Sequence, residues 1–97
     1  MSEKDLRQFG KMQQQINAYK KSKITLKVLI GDLIFLRDAL EVAEKEWEYK
    51  FTDSVVDLES VYTYLLEKNL NYPDELTVEI VSRALKKLEN LIPESAD

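Results

Sequence analysis

The stretch LKVLIGDLIFLRDALEVAEKEW, residues 26–47, decides the fold of this 97-residue chain. Apolar residues recur in it at alternating steps of three and four, which places them on one side of an α-helix. That stripe consists of Leu26, Leu29, Leu33, Leu36, Leu40, Ala43 and Trp47. Other apolar residues cover most of the remaining circumference: Val28, Ile30, Ile34 and Phe35. We therefore predict a central helix that its neighbours enclose on several sides. Core packing is the expected position of Phe35, and the alternative is a companion binding surface that it forms with Asp38, Glu41 and Glu44.

Beyond Trp47 the apolar stripe continues but changes phase. It runs on through Phe51, Val55, Leu58, Tyr62 and Leu65. No Gly, Pro or Asn lies between Leu40 and Phe51, so the sequence permits one unbroken helix over about 25–68. Such a helix would be roughly 65 Å long at about 1.5 Å per residue and would leave little for a compact core. We therefore predict a break between Ala43 and Trp47 that separates a second helix from a third.

The segments on either side of this central part predict two more helices. Residues 3–19 carry one apolar stripe, made of Leu6, Phe9, Met12, Ile16 and Tyr19. Residues 69–73 hold two Asn and one Pro and form the clearest loop signal, so the third helix ends there. A last helix begins between Asp74 and Thr77, either of which suits an N-cap, and Pro93 ends it before a frayed tail over 94–97. Its stripe is Ile80 or Val81, Ala84, Leu88 and Leu91.

Together these segments predict an all-α fold, an antiparallel bundle of about four helices that forms a single domain over residues 1–97. The absence of cysteine excludes disulfides, and a domain of this size buries enough surface to fold without them. Residues 1–5 lack the apolar region of a secretion signal, and no apolar run reaches the roughly 20 residues that span a bilayer. We expect a soluble, cytoplasmic monomer that makes no contact with a membrane.

The composition excludes most catalytic chemistry. The chain has no His and no Cys, so Ser/His/Asp and Cys/His active sites are impossible. It also lacks the glycine-rich motifs that cradle phosphates. We predict no catalytic residue, no cofactor and no metal. Glu41, Glu44 and Glu48 would share one face of a continuous helix and could hold a hard cation such as Mg²⁺, but a solvated acidic surface explains the same spacing.

Charge is distributed unevenly along the chain, whose net charge is −4. Residues 1–31 hold seven Lys or Arg and two Asp or Glu, whereas residues 32–67 hold three and ten. No base-reading motif accompanies the basic segment, so nucleic acid is not an expected partner. We expect the basic segment to lie against the acidic middle of the same chain.

The third helix carries a candidate partner-binding surface on the side away from its core stripe. A line of residues at steps of three and four runs along that side: Tyr49, Asp53, Val56, Ser60 and Tyr64. Further acidic residues extend the predicted surface: Asp38, Glu41, Glu44, Glu48 and Asp57. Tyrosine is enriched at binding hot spots, and acidic residues speed encounter with a basic protein. The alternative for the tyrosines is packing beneath a neighbouring helix, with their hydroxyl groups at the rim.

Several short runs in the central part of the chain resemble small all-helical bacterial immunity proteins of toxin–immunity systems, including polymorphic toxin and contact-dependent inhibition systems. The runs are Leu29-Ile30, Asp32-Leu33, Ala39-Leu40-Glu41, Glu46-Trp47, Phe51, Asp57-Leu58-Glu59 and Val61-Tyr62. The resemblance implies a cytoplasmic protein that binds its cognate toxin, often a basic nuclease, and blocks it without chemistry of its own. The alternative is a non-catalytic structural or assembly module that self-associates through its apolar second helix.

Overall fold

The computed structural model describes residues 2–41 and 44–93. All regular secondary structure in these ranges is α-helical, which confirms the predicted all-α fold. The helices are α1 (Glu3–Lys20), α2 (Leu26–Asp38), α3 (Lys45–Lys68) and α4 (Val78–Leu91). No helix within these ranges is both long enough and apolar enough to cross a membrane.

α1 and α2 run antiparallel, as do α3 and α4, and hydrogen bonds between the helices of each pair show it. Trp47 at the start of α3 donates from Nε1 to the carbonyl oxygen of Leu91 at the end of α4, over 2.9 Å. Tyr64 near the end of α3 donates to Asp74, which precedes α4. Hydrogen bonds also join the start of α1 to the residues after α2, between Asp5 and Glu41, and the later part of α1 to the middle of α2, between Gln15 and Asp32. The predicted antiparallel bundle is therefore the observed architecture.

All the helices contribute to one hydrophobic core. An aromatic cluster lies within it, in which the indole ring of Trp47 stacks on Phe51 with ring centroids 5.0 Å apart. The ring of Phe9 from α1 meets the same indole edge-on at 5.5 Å. Aromatic pairs in these geometries add about 0.5–1.5 kcal/mol beyond the burial of their surface. The cluster ties α1 to the first turns of α3.

The central part of the chain folds as two helices, so the single long helix is excluded. α3 begins at Lys45, inside the predicted break, but α2 already ends at Asp38, earlier than predicted. Leu40 is half-buried outside both helices, and Ala43 lies outside the described residues. A tertiary contact holds this connection, because the fully buried carboxylate of Asp5 accepts the Glu41 N–H over 2.8 Å. No turn-forming residue marks the break.

The second helix is not enclosed on several sides. Leu29 and Leu33 are buried where α1 and α3 pack against α2, but Phe35 is 72% exposed and Val28 is also exposed. The prediction that Phe35 packs in the core is wrong, because α1 and α3 cover the other side of the helix. Gly31 lies on this exposed side, and a Cβ atom there would meet nothing within 4 Å.

The remaining helix ends follow the sequence closely. α3 ends at the predicted loop, where Asn69 adopts the left-handed conformation (φ 56°). α4 begins at Val78, immediately after the predicted range, because Asp74 first closes a turn through the backbone N–H groups of Leu76 and Thr77. Of the two candidates for the stripe of α4, Val81 is buried and Ile80 is exposed. α4 ends before Pro93 as predicted, and the predicted tail at 94–97 lies outside the described residues.

Candidate protein-binding surfaces

The outer side of α3 exposes most of the predicted line of residues. Tyr49 is 75% exposed, and Asp53, Val56 and Ser60 follow it on the same side, all exposed. We call these four residues the α3 face. Their spacing makes them neighbours along a helix over roughly 16 Å, at about 1.5 Å per residue. The predicted exposure is confirmed for these residues.

Tyr64, the last residue of the predicted line, is engaged within the molecule. It is half-buried, and its hydroxyl donates to Asp74 Oδ2 over 2.9 Å. This hydrogen bond, together with burial and the charge of Asp74, raises the pKa of the Tyr64 hydroxyl. The alternative interpretation, packing at the rim of a neighbouring element, therefore applies to Tyr64. The end of α3 packs against the segment before α4, so Tyr64 is less exposed than the rest of the line, and its role in partner binding stays a prediction.

The predicted acidic residues of α3 surround the α3 face. Glu48 and Asp53 are exposed, Asp57 is half-buried, and Glu44 is exposed at the N-cap position without capping the helix through its side chain. Within the described ranges no Lys or Arg nitrogen lies within 4.0 Å of these four carboxylates. Their negative charge is therefore available to a partner, and acidic surfaces accelerate encounter with basic proteins.

Asp38 and Glu41 belong to a different part of the surface. Asp38 ends α2, and its carboxylate lies 3.2 Å from the guanidinium of Arg37, which also donates to Thr52 of α3. Glu41 follows α2 and lies 3.8 Å from the amino group of Lys4. Both carboxylates are exposed, but each has a cationic neighbour in its own chain.

The helical face predicted for Glu41, Glu44 and Glu48 does not exist. Glu41 precedes α3, whereas Glu48 lies within it, so helical spacing does not relate the two. The described residues contain no group of three or more acidic side chains arranged to hold a metal ion. The broken helix separates the acidic region into two patches, one around Asp38 and Glu41 and one along α3.

The basic segment does not cover the acidic middle of the chain, contrary to the prediction. Among the described residues, the pair of Lys4 with Glu41 is the one ion pair between these two segments. Lys20 instead pairs with Glu89 of α4 over 2.6 Å. The prediction fails because α1 packs against α2 with its apolar stripe, which leaves basic side chains such as Arg7 and Lys11 in solvent.

A groove at the opposite end of the bundle from Trp47 was missed from the sequence. It lies between the α1–α2 connection, the α3–α4 connection and α4, and has a volume of about 660 Å³. Its apolar lining comes from three segments: Ile24, Leu26, Val78, Val81 and Leu85. Three lysines also line it, Lys20, Lys23 and Lys86, together with Tyr72, which is 75% exposed. Two features of the sequence belong to this groove, the lysine-rich residues 20–23 and the Tyr-Pro pair at 72–73. Helical periodicity and turn residues do not indicate that these two segments meet in the fold.

One acidic residue, Glu89, also lines the groove, and its carboxylate already accepts hydrogen bonds from Gln13 and Lys20. Burial alone would raise the pKa of its carboxyl group, but hydrogen bonds from Lys20 and Gln13 and the charge of Lys20 outweigh burial and lower the pKa. Glu89 therefore remains ionised and neutralises Lys20. Lys23 and Lys86 have no acidic partner within 4.0 Å in the described part of the chain.

No protein-family model, curated protein or solved structure matches this chain. The structure thus defines a helical bundle with two distinct exposed surfaces, the acidic α3 face and the basic, apolar groove.

Proposed function

We propose that this protein is a bacterial immunity protein that binds a cognate toxin in the cytoplasm and blocks it with the α3 face. The observation that carries the proposal is the exposed line from Tyr49 to Ser60, flanked by carboxylates that have no cationic partner in the described residues. The sequence resemblance to immunity proteins supports the same function.

The α3 face has the chemistry to occupy a basic cleft. A toxin that is a nuclease binds phosphate groups with Lys and Arg, and carboxylates on a partner compete for the same cations. Tyr49 supplies a large contact area at low entropic cost, and Val56 adds apolar surface beside it. Residues on the opposite side of α3, such as Phe51 and Val55, are buried in the core, so the helix is held in place before binding. Inhibition then follows from occlusion and needs no catalytic group.

The proposal is tested with the protein encoded beside this gene. Co-expression should restore growth to cells that the neighbouring protein kills, and the two proteins should co-purify with an affinity that falls as salt is added. The double variant Tyr49→Ala/Asp53→Lys should weaken binding about 100-fold, because it removes an exposed anchor and reverses a charge. The matched control Tyr72→Ala/Glu75→Lys makes the same changes at exposed positions of the other end.

The control should bind as the wild type does. If co-expression restores no growth and pull-down from the native host recovers no toxin domain, the proposed function is wrong. If both double variants bind equally well, the α3 face is not the contact surface.

The exposed side of α2 favours a second candidate, a module that self-associates. Phe35 and Val28 are exposed there, and Gly31 between them lets a second helix approach closely. Leu33 and Leu36 are buried in the core of their own chain, so a dimer would use Phe35 and Val28 instead. Sedimentation velocity decides: a dimer that dissociates in a Phe35→Ser variant supports this candidate, and a monomer at high concentration contradicts it.

A further inference from the structure

We infer that the groove binds an acidic peptide segment that carries an aliphatic or aromatic side chain. The groove is lined by the end of α1, the start of α2, the connections 21–25 and 69–77, and α4, and it shares no residue with the α3 face. The inference is therefore independent of the proposed immunity function.

The apolar part of the groove lining favours a ligand that carries an apolar group. Val78 and Tyr72 are exposed and Ile24 is half-buried, whereas Val81 and Leu85 below them already belong to the core. Exposed apolar side chains next to a concave surface mark binding sites. An inserted leucine or phenylalanine side chain would remove the apolar surfaces of Ile24, Val78 and Tyr72 from water.

The positive charges around the groove favour a ligand that carries carboxylates. Glu89 neutralises Lys20, but Lys23 and Lys86 remain without an acidic partner among the described residues. The first turn of α2 also lines the groove and holds no acidic residue, so the positive end of its helix dipole adds to the lysines. In a protein of net charge −4, this local excess of positive charge selects an anionic ligand.

The polar groups of the lining favour a peptide over another anionic amphiphile. Side chains with hydrogen-bond donors and acceptors line the groove beside the apolar residues: Ser22, Thr25, Asn71 and Ser82. They can form hydrogen bonds with the N–H and C=O groups of a peptide backbone, whereas the alkyl chain of a fatty acid offers them none. Tyr72 at the edge offers the type of anchor that is enriched at peptide and protein contacts.

The experiment uses the full chain and a set of labelled hexapeptides. The test peptides have the form Glu-Asp-X-X-Asp-Glu, in which X is Leu, Ile, Val, Phe, Tyr or Trp. One control set replaces the acids by Gln and Asn, and another places Ser at both X positions. Fluorescence anisotropy gives the affinities, and amide chemical shifts of the chain locate the bound peptide.

We expect at least one acidic, apolar peptide to bind and to shift the amide signals of Ile24, Tyr72 and Val78. Lys23→Glu/Lys86→Glu should weaken that binding about tenfold or more, because it reverses two contacting charges. Arg7→Glu/Lys11→Glu changes the net charge equally on α1, outside the groove, and should leave binding unchanged. The α3 face variant Tyr49→Ala/Asp53→Lys should also bind the peptide normally.

Any of the following results would overturn the inference. The first is that no peptide of the acidic, apolar set binds. The second is that the neutral or serine controls bind as tightly, or that Lys23→Glu/Lys86→Glu has no effect in a variant whose circular dichroism is unchanged. The third is that decanoate shifts the groove signals while the peptides do not, which would identify the occupant as an anionic amphiphile.

Discussion

The two ends of the bundle differ in how far along the chain their side chains form hydrogen bonds with backbone groups. At the end that holds the start of α3, which we call the closed end, side chains bond to backbone groups far along the chain. Asp5 accepts from the Glu41 N–H, and Trp47 donates to the carbonyl of Leu91. The last carbonyls of a helix lack partners within it, so Trp47 satisfies a group that α4 cannot satisfy alone.

At the groove end, the hydrogen bonds of the α3–α4 connection are mostly local, whereas Glu89 in the groove wall accepts bonds between distant side chains, from Lys20 and Gln13. Asp74 bonds to Leu76 and Thr77, three residues away or fewer, and Tyr64 adds a hydrogen bond to this turn from ten residues away. Tyr72 and Leu76 remain 75% and 74% exposed there. The comparison shows that, among the described residues, long-range bonds between side chains and backbone groups lie at the closed end, whereas the groove end keeps apolar and aromatic surface exposed.

The largest effect should come from removing the aromatic ring at the closed end. Trp47→Ala should lower the free energy of unfolding by about 3 kcal/mol or more, because it leaves a cavity beside Phe9 and Phe51. Trp47→Phe keeps a stacking ring and loses the hydrogen bond to Leu91, so it should cost about 1 kcal/mol. Urea denaturation followed by circular dichroism measures both. Tyr72→Ala at the groove end should change the free energy of unfolding by less than about 0.5 kcal/mol. A cost equal to that of Trp47→Ala would contradict the difference between the two ends.

A smaller loss should follow from Asp5→Ala at the same end. The substitution leaves the Glu41 N–H without its acceptor and should cost about 2 kcal/mol, within the range for a partly buried donor that loses its partner. Hydrogen exchange should then rise first at Glu41, because the carboxylate anchors the α2–α3 connection. Asp53→Ala, at an exposed carboxylate of the α3 face, is the matched control and should be near neutral. Equal stabilities of the two variants would show that the connection is held without Asp5.

The smallest effect is a pH dependence at the groove end. The Tyr64 hydrogen bond lowers the pKa of Asp74 from its ordinary value of 3.8 against the opposing effect of burial, and bonds from Thr77 and Leu76 lower it further. A carboxyl group whose pKa is depressed in the folded state stabilises the fold above the unfolded pKa, and this stability is lost as pH falls through the folded pKa. Tyr64→Phe should therefore be slightly less stable than wild type at pH 7, and the difference should begin to shrink as pH falls through about 4 and vanish below the lowered pKa of Asp74.

Denaturation of both proteins across pH 2–7 checks this prediction. Glu89 titrates in the same acidic range but is unchanged by the substitution, so it cancels in the difference. A difference between wild type and Tyr64→Phe that is independent of pH would mean that packing of the hydroxyl, and not its bond to the Asp74 carboxylate, carries the effect.

The candidate surfaces were predicted only in part from the sequence. Helical spacing placed Tyr49, Asp53 and Val56 on the outer side of α3, and these residues are exposed. The same spacing also included Tyr64, because periodicity gives the side of a helix and not the neighbour that covers its last turn. The groove was missed because its lining comes from three segments that meet only when the bundle closes.

Composition and periodicity by themselves determined the all-α fold, the exclusion of His- and Cys-dependent chemistry, the loop at 69–73 and most of the core stripes. They succeeded there because helix propensity, turn residues and the 3.6-residue period are local properties of the chain. Tertiary structure alone decided where α2 ends, that Phe35 is exposed, and which lysines keep their charge unpaired. Each of these outcomes depends on a contact or a gap between helices. The buried Asp5 carboxyl group illustrates the difference: position 5 belongs to a polar N-terminal stretch of the sequence, and its side chain becomes a structural anchor by accepting the Glu41 N–H, 36 residues away.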